Sequence, residues 1–117
     1  MTTTVHTIDA AGKALGRVAT EAASVLMGKH SSAFARNTVA PVSVRIVNAA
    51  KMRTTEKKGR TTTYRRYSGY PGGLKEETRA SLVARRGHAE VLQKAIRGMM
   101  PRNRLRPVAL KNLSIEA

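Results

Sequence analysis

Six Lys and Arg residues between Lys57 and Lys75 stand among three tyrosines and four glycines. Lys57, Lys58, Arg60, Arg65, Arg66 and Lys75 supply charge that neutralises phosphates, and Arg79 follows just beyond. Tyr64, Tyr67 and Tyr70 offer ring faces on which an unpaired base can stack, and Gly69, Gly72 and Gly73 let a backbone come close. A second basic cluster, Arg97, Arg102, Arg104, Arg106 and Lys111, surrounds a Met99-Met100-Pro101 break. The whole chain of 117 residues carries 22 Lys plus Arg against 7 Asp plus Glu, a formal net charge of +15. A compact domain with that excess repels itself unless a polyanion covers it. The excess is uneven: +3 over residues 1–50 and +12 over residues 51–117.

Other chemistries find little material. His6, His30 and His88 are far apart and lack metal-ligand spacing, and no Cys is present for thiolate sites or disulfides. Seven acids, two of them adjacent at Glu76-Glu77, are too few to suggest a carboxylate pair or a magnesium cage. Gly12-Lys13-Ala14-Leu15-Gly16 sits where phosphate loops occur but matches neither a Walker A nor a dinucleotide pattern. A tight strand-to-helix turn explains it, with Lys13 and Arg17 placed to touch a phosphate at the helix start. No catalytic residues, metal, cofactor or small-molecule substrate are therefore expected. No apolar run approaches the roughly 20 residues of a membrane span. Met1 to Ile8 shows no secretory pattern, and the absence of strongly amphipathic basic helices with large apolar anchors disfavours a membrane surface.

The elements that must carry these residues follow from periodicity. Val5 to Asp9 alternates as a strand and leads into a turn at Ala10 to Lys13. Leu15, Val18, Ala19, Ala22, Val25 and Leu26 then recur at helical spacing, and Gly28 is a stop with Lys29 and His30 beside it. Val42 to Val47 suits a buried strand, completing a βαβ unit with right-handed crossover. Lys51 to Thr55 is a further short strand candidate, and Glu56 to Gly73 an exposed β-prone loop or hairpin. Helical structure is expected from Leu74, with Glu76 and Glu77 at a helix N-terminus and Arg85 and Arg86 at its end. A second helix is expected from Ala89 to Met99, stopped by Pro101. Pro107 limits any helix in the segment that follows, and Leu113 to Ile115 suits a closing strand. Neither a repeat nor a linker divides the chain, so residues 1–117 are expected to form one domain. With four aromatics, its core must rest on Val, Leu, Ile, Ala and Met.

Several stretches resemble a known family. Ile8-Asp9 through Gly12-Lys13-Ala14-Leu15-Gly16-Arg17-Val18-Ala19-Thr20, Gly28-Lys29-His30 and Val47-Asn48-Ala49 are similar to the bacterial large-subunit ribosomal protein L-thirteen. So are Tyr67-Ser68-Gly69-Tyr70-Pro71-Gly72-Gly73-Leu74-Lys75 and Ala95-Ile96-Arg97-Gly98-Met99-Met100-Pro101, in the family's order over nearly the whole chain. The resemblance implies a three-layer α/β/α fold with a small, mainly parallel four-stranded sheet. It also implies a cytoplasmic, ribosome-bound structural constituent that binds ribosomal RNA, helps early subunit assembly and neighbours other large-subunit proteins. Family RNA-facing segments match Lys29, His30, Ser68 to Gly73, and Arg97 with the basic residues after Pro101. The chain departs from the family at Arg36 to Pro41, where an acidic, His-containing loop is usual, and at Tyr67, often His. The sequence ends at Ala117, so interactions of the longer tail that many members carry are not expected to carry over. The alternatives are a free RNA-binding regulator and an RNA-processing enzyme.

Overall fold

The computed structural model describes residues 4–32, 35–53 and 56–116, without the side chains of residues 56, 57 and 59. The chain opens with β1 (Thr4–Asp9), α1 (Leu15–Met27) and β2 (Val42–Val47), followed by a 3₁₀ turn at Ala49–Lys51. Next come α2 (Glu56–Thr61), β3 (Thr63–Tyr67), β4 (Leu74–Thr78), α3 (Arg79–Arg86), α4 (His88–Met99), α5 (Arg106–Leu110) and β5 (Leu113–Ile115). β1, β2 and β5 form a parallel sheet with β2 in the centre, and β3 and β4 form a separate antiparallel hairpin. The domain is therefore mixed α/β with a mainly parallel sheet.

Sequence pattern accounts for the core. Six residues expected on the inner stripe of α1, from Leu15 to Leu26, are buried, while Arg17, Thr20 and Glu21 are exposed. Alanines at 19, 22 and 23 add little bulk, so α1 lies close to β2 and to α4. On the sheet, Ile8, Val44 and Ile46 are buried, whereas Val5, Thr7, Arg45 and Ser114 on alternate positions are exposed. α4 contributes Val91, Leu92 and Ile96, and α3 contributes Leu82. Full burial of one such aliphatic side chain is worth about 1.5–3 kcal/mol. No polar or charged residue is buried among those described.

Three expectations need correction. The parallel sheet has three strands among the described residues, not four. Residues 51–53 make only one parallel bridge, Ala14 to Arg53, and Thr54 and Thr55 lie outside the described residues. Gly12 N donates to Lys51 O and Arg53 N donates to Lys13 O, so this segment follows a turn that leaves at once for α1. Second, Glu76 and Glu77 lie in β4 rather than at a helix start; α3 begins at Arg79 with Thr78 as its cap. Cross-strand pairing with Arg65 and Tyr64 holds the two acids in the strand. Third, Glu56 to Thr61 is a short helix rather than loop or hairpin, in keeping with the helix-forming Glu, Lys and Arg side chains there. Pro107 does limit its helix to little more than a turn, and it sits in the first turn of α5, where a missing N–H is tolerated.

Candidate nucleic-acid interface

The β3–β4 hairpin projects a basic arm from this core. Its ladder pairs Tyr64 with Glu77, Arg65 with Glu76, Arg66 with Lys75 and Tyr67 with Leu74. Arg65 Nε meets Glu76 Oε1 at 3.0 Å, a surface pair of small energetic value. Arg66 and Lys75 face each other as like charges, and neither has an ion pair among the described residues. Directly opposed cations destabilise a bare hairpin and favour an external anion. The tip is narrow because its glycines let it be: Gly69 and Gly72 have positive φ, and a Cβ at Gly73 would strike Ser68 Oγ and the Tyr70 carbonyl. Ser68 Oγ accepts from Tyr70 N, and Gly73 N donates to Tyr70 O.

The three tyrosines have different surroundings. Tyr67 and Tyr70 are 66% and 75% exposed near the tip, where their faces are open to a base. Tyr64 is half-buried against the core; its hydroxyl accepts from Arg79 Nε at 3.3 Å, and Lys94 Nζ lies 5.8 Å from its ring centre. Tyr64 thus anchors the arm. Glu77 provides a second anchor through a two-fold contact with Arg85, at 2.9 and 2.7 Å. Hydrogen bonding from Arg85 holds the Glu77 carboxyl below the ordinary glutamate range, and the Arg85 charge adds to this. Lys58 and Arg60 are exposed on α2 next to the arm; Lys57 is in α2, but its side chain lies outside the described residues.

A second group of basic residues lies after α1 and along and after α4. Gly28 adopts the left-handed conformation at φ 82°, and Lys29 N donates back to Ser24 O, which turns Lys29 and His30 out to solvent. A Cβ on Gly28 would approach Ala40 Cβ to 2.7 Å, so the turn is tight as well as left-handed. Arg97 is exposed on α4, Arg102 and Arg104 on the turn after it, Lys111 after α5, while Arg106 is half-buried. Asn103 Oδ1 accepts from Leu105 N and Arg106 N, both at 3.1 Å, and so shapes the entry to α5. Lys29 and Arg106 line one cleft with Arg36, a residue the sequence reading did not select. A lone cation in a polar stretch gives no local signal for that convergence. Lys94 and Arg85 were likewise missed as arm partners, since strand-to-helix contacts have no fixed spacing. Lys13 Nζ lies 3.8 Å from Glu21, while Arg17 is exposed. No group of three or more His, Cys, Asp or Glu residues suited to a metal occurs among the described residues.

The Cα radius of gyration is 15.4 Å, against about 13.4 Å for a compact domain of this length, and the molecule is a slab of 46 × 37 × 17 Å. It is a thin mixed α/β domain with exposed basic residues on the β3–β4 arm and after α1 and α4. The family model described as ribosomal protein L13 matches residues 3–115. Large ribosomal subunit protein uL13 of Alcanivorax borkumensis is 42% identical over 112 residues, covering 96% of this chain and 78% of that protein. Its namesake in Symbiobacterium thermophilum is 43% identical over the same length and shares. That of Moorella thermoacetica is 44% identical over 110 residues, 94% of this chain and 76% of the relative. The chain belongs to the ribosomal protein L13 family.

Proposed function

We propose that this chain is a structural constituent of the large ribosomal subunit, ribosome-bound in the cytoplasm, and holds ribosomal RNA through two basic surfaces. The family is one of structural ribosomal proteins, not enzymes. The observation that carries the assignment of the first surface is the opposed Arg66–Lys75 pair beside exposed Tyr67 and Tyr70. On the arm, Arg65, Arg66, Lys75 and the nearby Lys57, Lys58 and Arg60 meet phosphates. Tyr67 and Tyr70 stack on unpaired bases, while Ser68, Gly69, Gly72 and Gly73 let the loop approach the RNA backbone. Tyr64 serves the arm by fixing its angle. The second surface comprises Lys29, His30, Arg97, Arg102, Arg104, Arg106 and Lys111. Neighbouring large-subunit proteins are further partners, and early subunit assembly is the stage at which the chain acts. The sheet face bearing Val5, Thr7 and Arg45 is where the third layer of an α/β/α arrangement would lie.

Binding of large-subunit ribosomal RNA, titrated on filters across a salt series, tests this reading. With roughly 6–10 phosphate contacts, affinity falls by about 10³–10⁵ between 50 and 200 mM salt. Changing Arg65 and Arg66 together to Ala lowers the log–log salt slope by about 2 and leaves the thermal midpoint unchanged, because both side chains are exposed. A flat salt response overturns the RNA assignment. A large loss of thermal stability in the double variant overturns the view that the arm stands outside the core.

A further inference from the structure

We propose that the cleft between the end of α1, residues 35–39 and the turn before α5 receives one unpaired nucleotide of the bound RNA. This rests on the RNA-binding reading above and adds a defined seat to it. The cleft has a volume of about 580 Å³, within the range of small-molecule sites. Met27, Met99 and Met100 give it an apolar wall. Met100 is buried, whereas Met99 is 43% exposed and its Sδ accepts from the Thr20 hydroxyl at 3.3 Å. Thioether side chains are polarisable and adapt to a flat ring.

Charge decides what kind of group enters. Lys29, Arg36 and Arg106 line the same cleft, and no Asp or Glu is among its described lining residues. None of the three has an ion pair among the described residues. Three uncompensated cations beside an apolar wall suit a ligand with an anionic end and a flat, weakly polar end. A nucleotide has both. Asn103 adds direction: its Oδ1 is occupied by two backbone N–H groups, leaving its NH₂ to donate to a base edge or ribose oxygen. A base inside a helix is stacked and out of reach, so the occupant is a bulged or loop nucleotide. A neutral apolar peptide would cover the methionines but leave the cations uncompensated.

The test compares two RNA hairpins, identical except that one carries a single bulged adenosine, binding to the full chain at fixed salt. The bulged RNA binds about tenfold more tightly, and the bulged adenosine is protected from chemical modification. Thr38→Trp, at an exposed cleft position, reduces that preference about fivefold or more while leaving affinity for the unbulged hairpin unchanged, and Arg36→Ala reduces the preference to the same degree on top of a smaller loss of affinity for both hairpins. Thr38→Trp fills the cleft, and circular dichroism melts verify that each variant is folded. Equal affinity for the two hairpins with a steep salt slope overturns the nucleotide seat and leaves the basic surfaces standing. A flat salt slope instead removes the RNA-binding reading beneath it. A bulge preference that survives in both folded variants also overturns the seat, and points to a protein segment as the occupant of the cleft.

Discussion

The core around α1 and the β3–β4 arm are built on opposite terms. In the first, Ile8, Val18, Leu26, Val44, Ile46, Leu92 and Ile96 are buried and no buried polar group needs a partner. In the second, no residue from Thr63 to Thr78 is fully buried, and the hairpin rests on Tyr64 against the core and Glu77 against Arg85. Burial makes the core independent of its surroundings, while the arm combines weak anchoring with concentrated charge. One chain therefore contains a buried scaffold and a weakly anchored, highly charged appendage. Substitutions should separate the two.

The largest effect is expected from Leu92→Ala, at a side chain with no exposed surface, which should destabilise the domain by about 2–5 kcal/mol in urea unfolding. A loss below 1 kcal/mol would mean that α4 is not part of the scaffold. Next comes Gly28→Ala, which places a Cβ in the left-handed region and against Ala40. It should cost about 1–2 kcal/mol and weaken RNA binding through misdirected Lys29 and His30. Wild-type stability in that variant would show that the turn relaxes freely.

The smallest effect separates the two regions most cleanly. Glu77→Gln removes the charge that faces Arg85, so amide hydrogens of β3 and β4 should exchange faster while those of β2 and α4 keep their rates. Acid weakens the same contact in the unmodified chain, together with the Arg45–Glu116 pair on β2. Because the Glu77 carboxyl is depressed in the folded state, its contribution is present above the unfolded glutamate value, about 4.3, and fades as pH falls through the lower folded value. Uniform exchange across core and arm in the Glu77→Gln variant would show that they open as one unit.

The sequence announced the core better than the arm. Periodicity located α1 almost to the residue because its apolar stripe faces one environment along its whole length. Gly28 as a stop and Leu113 to Ile115 as a strand were legible for similar local reasons. Glu76 and Glu77 misled because an acidic pair reads equally well at a helix start or opposite a basic strand, and only the tertiary partner decides. The two basic clusters were visible as composition. Their division into an anchoring Tyr64 and exposed Tyr67 and Tyr70 was not, nor was the meeting of Lys29, Arg36 and Arg106, which depends on how distant turns fold together.

Strand order has a consequence in time. β2 is the central strand, and Val44 waits for Leu113 as its partner on the far side, a separation of about 70 residues. Synthesis from the N-terminus delivers β1, α1 and β2 first and then the arm, so an open edge of β2 persists until the last short strand arrives. Pairings so distant in sequence form slowly. Residues 63–78 of the basic hairpin are thus synthesised before the strand that closes the sheet.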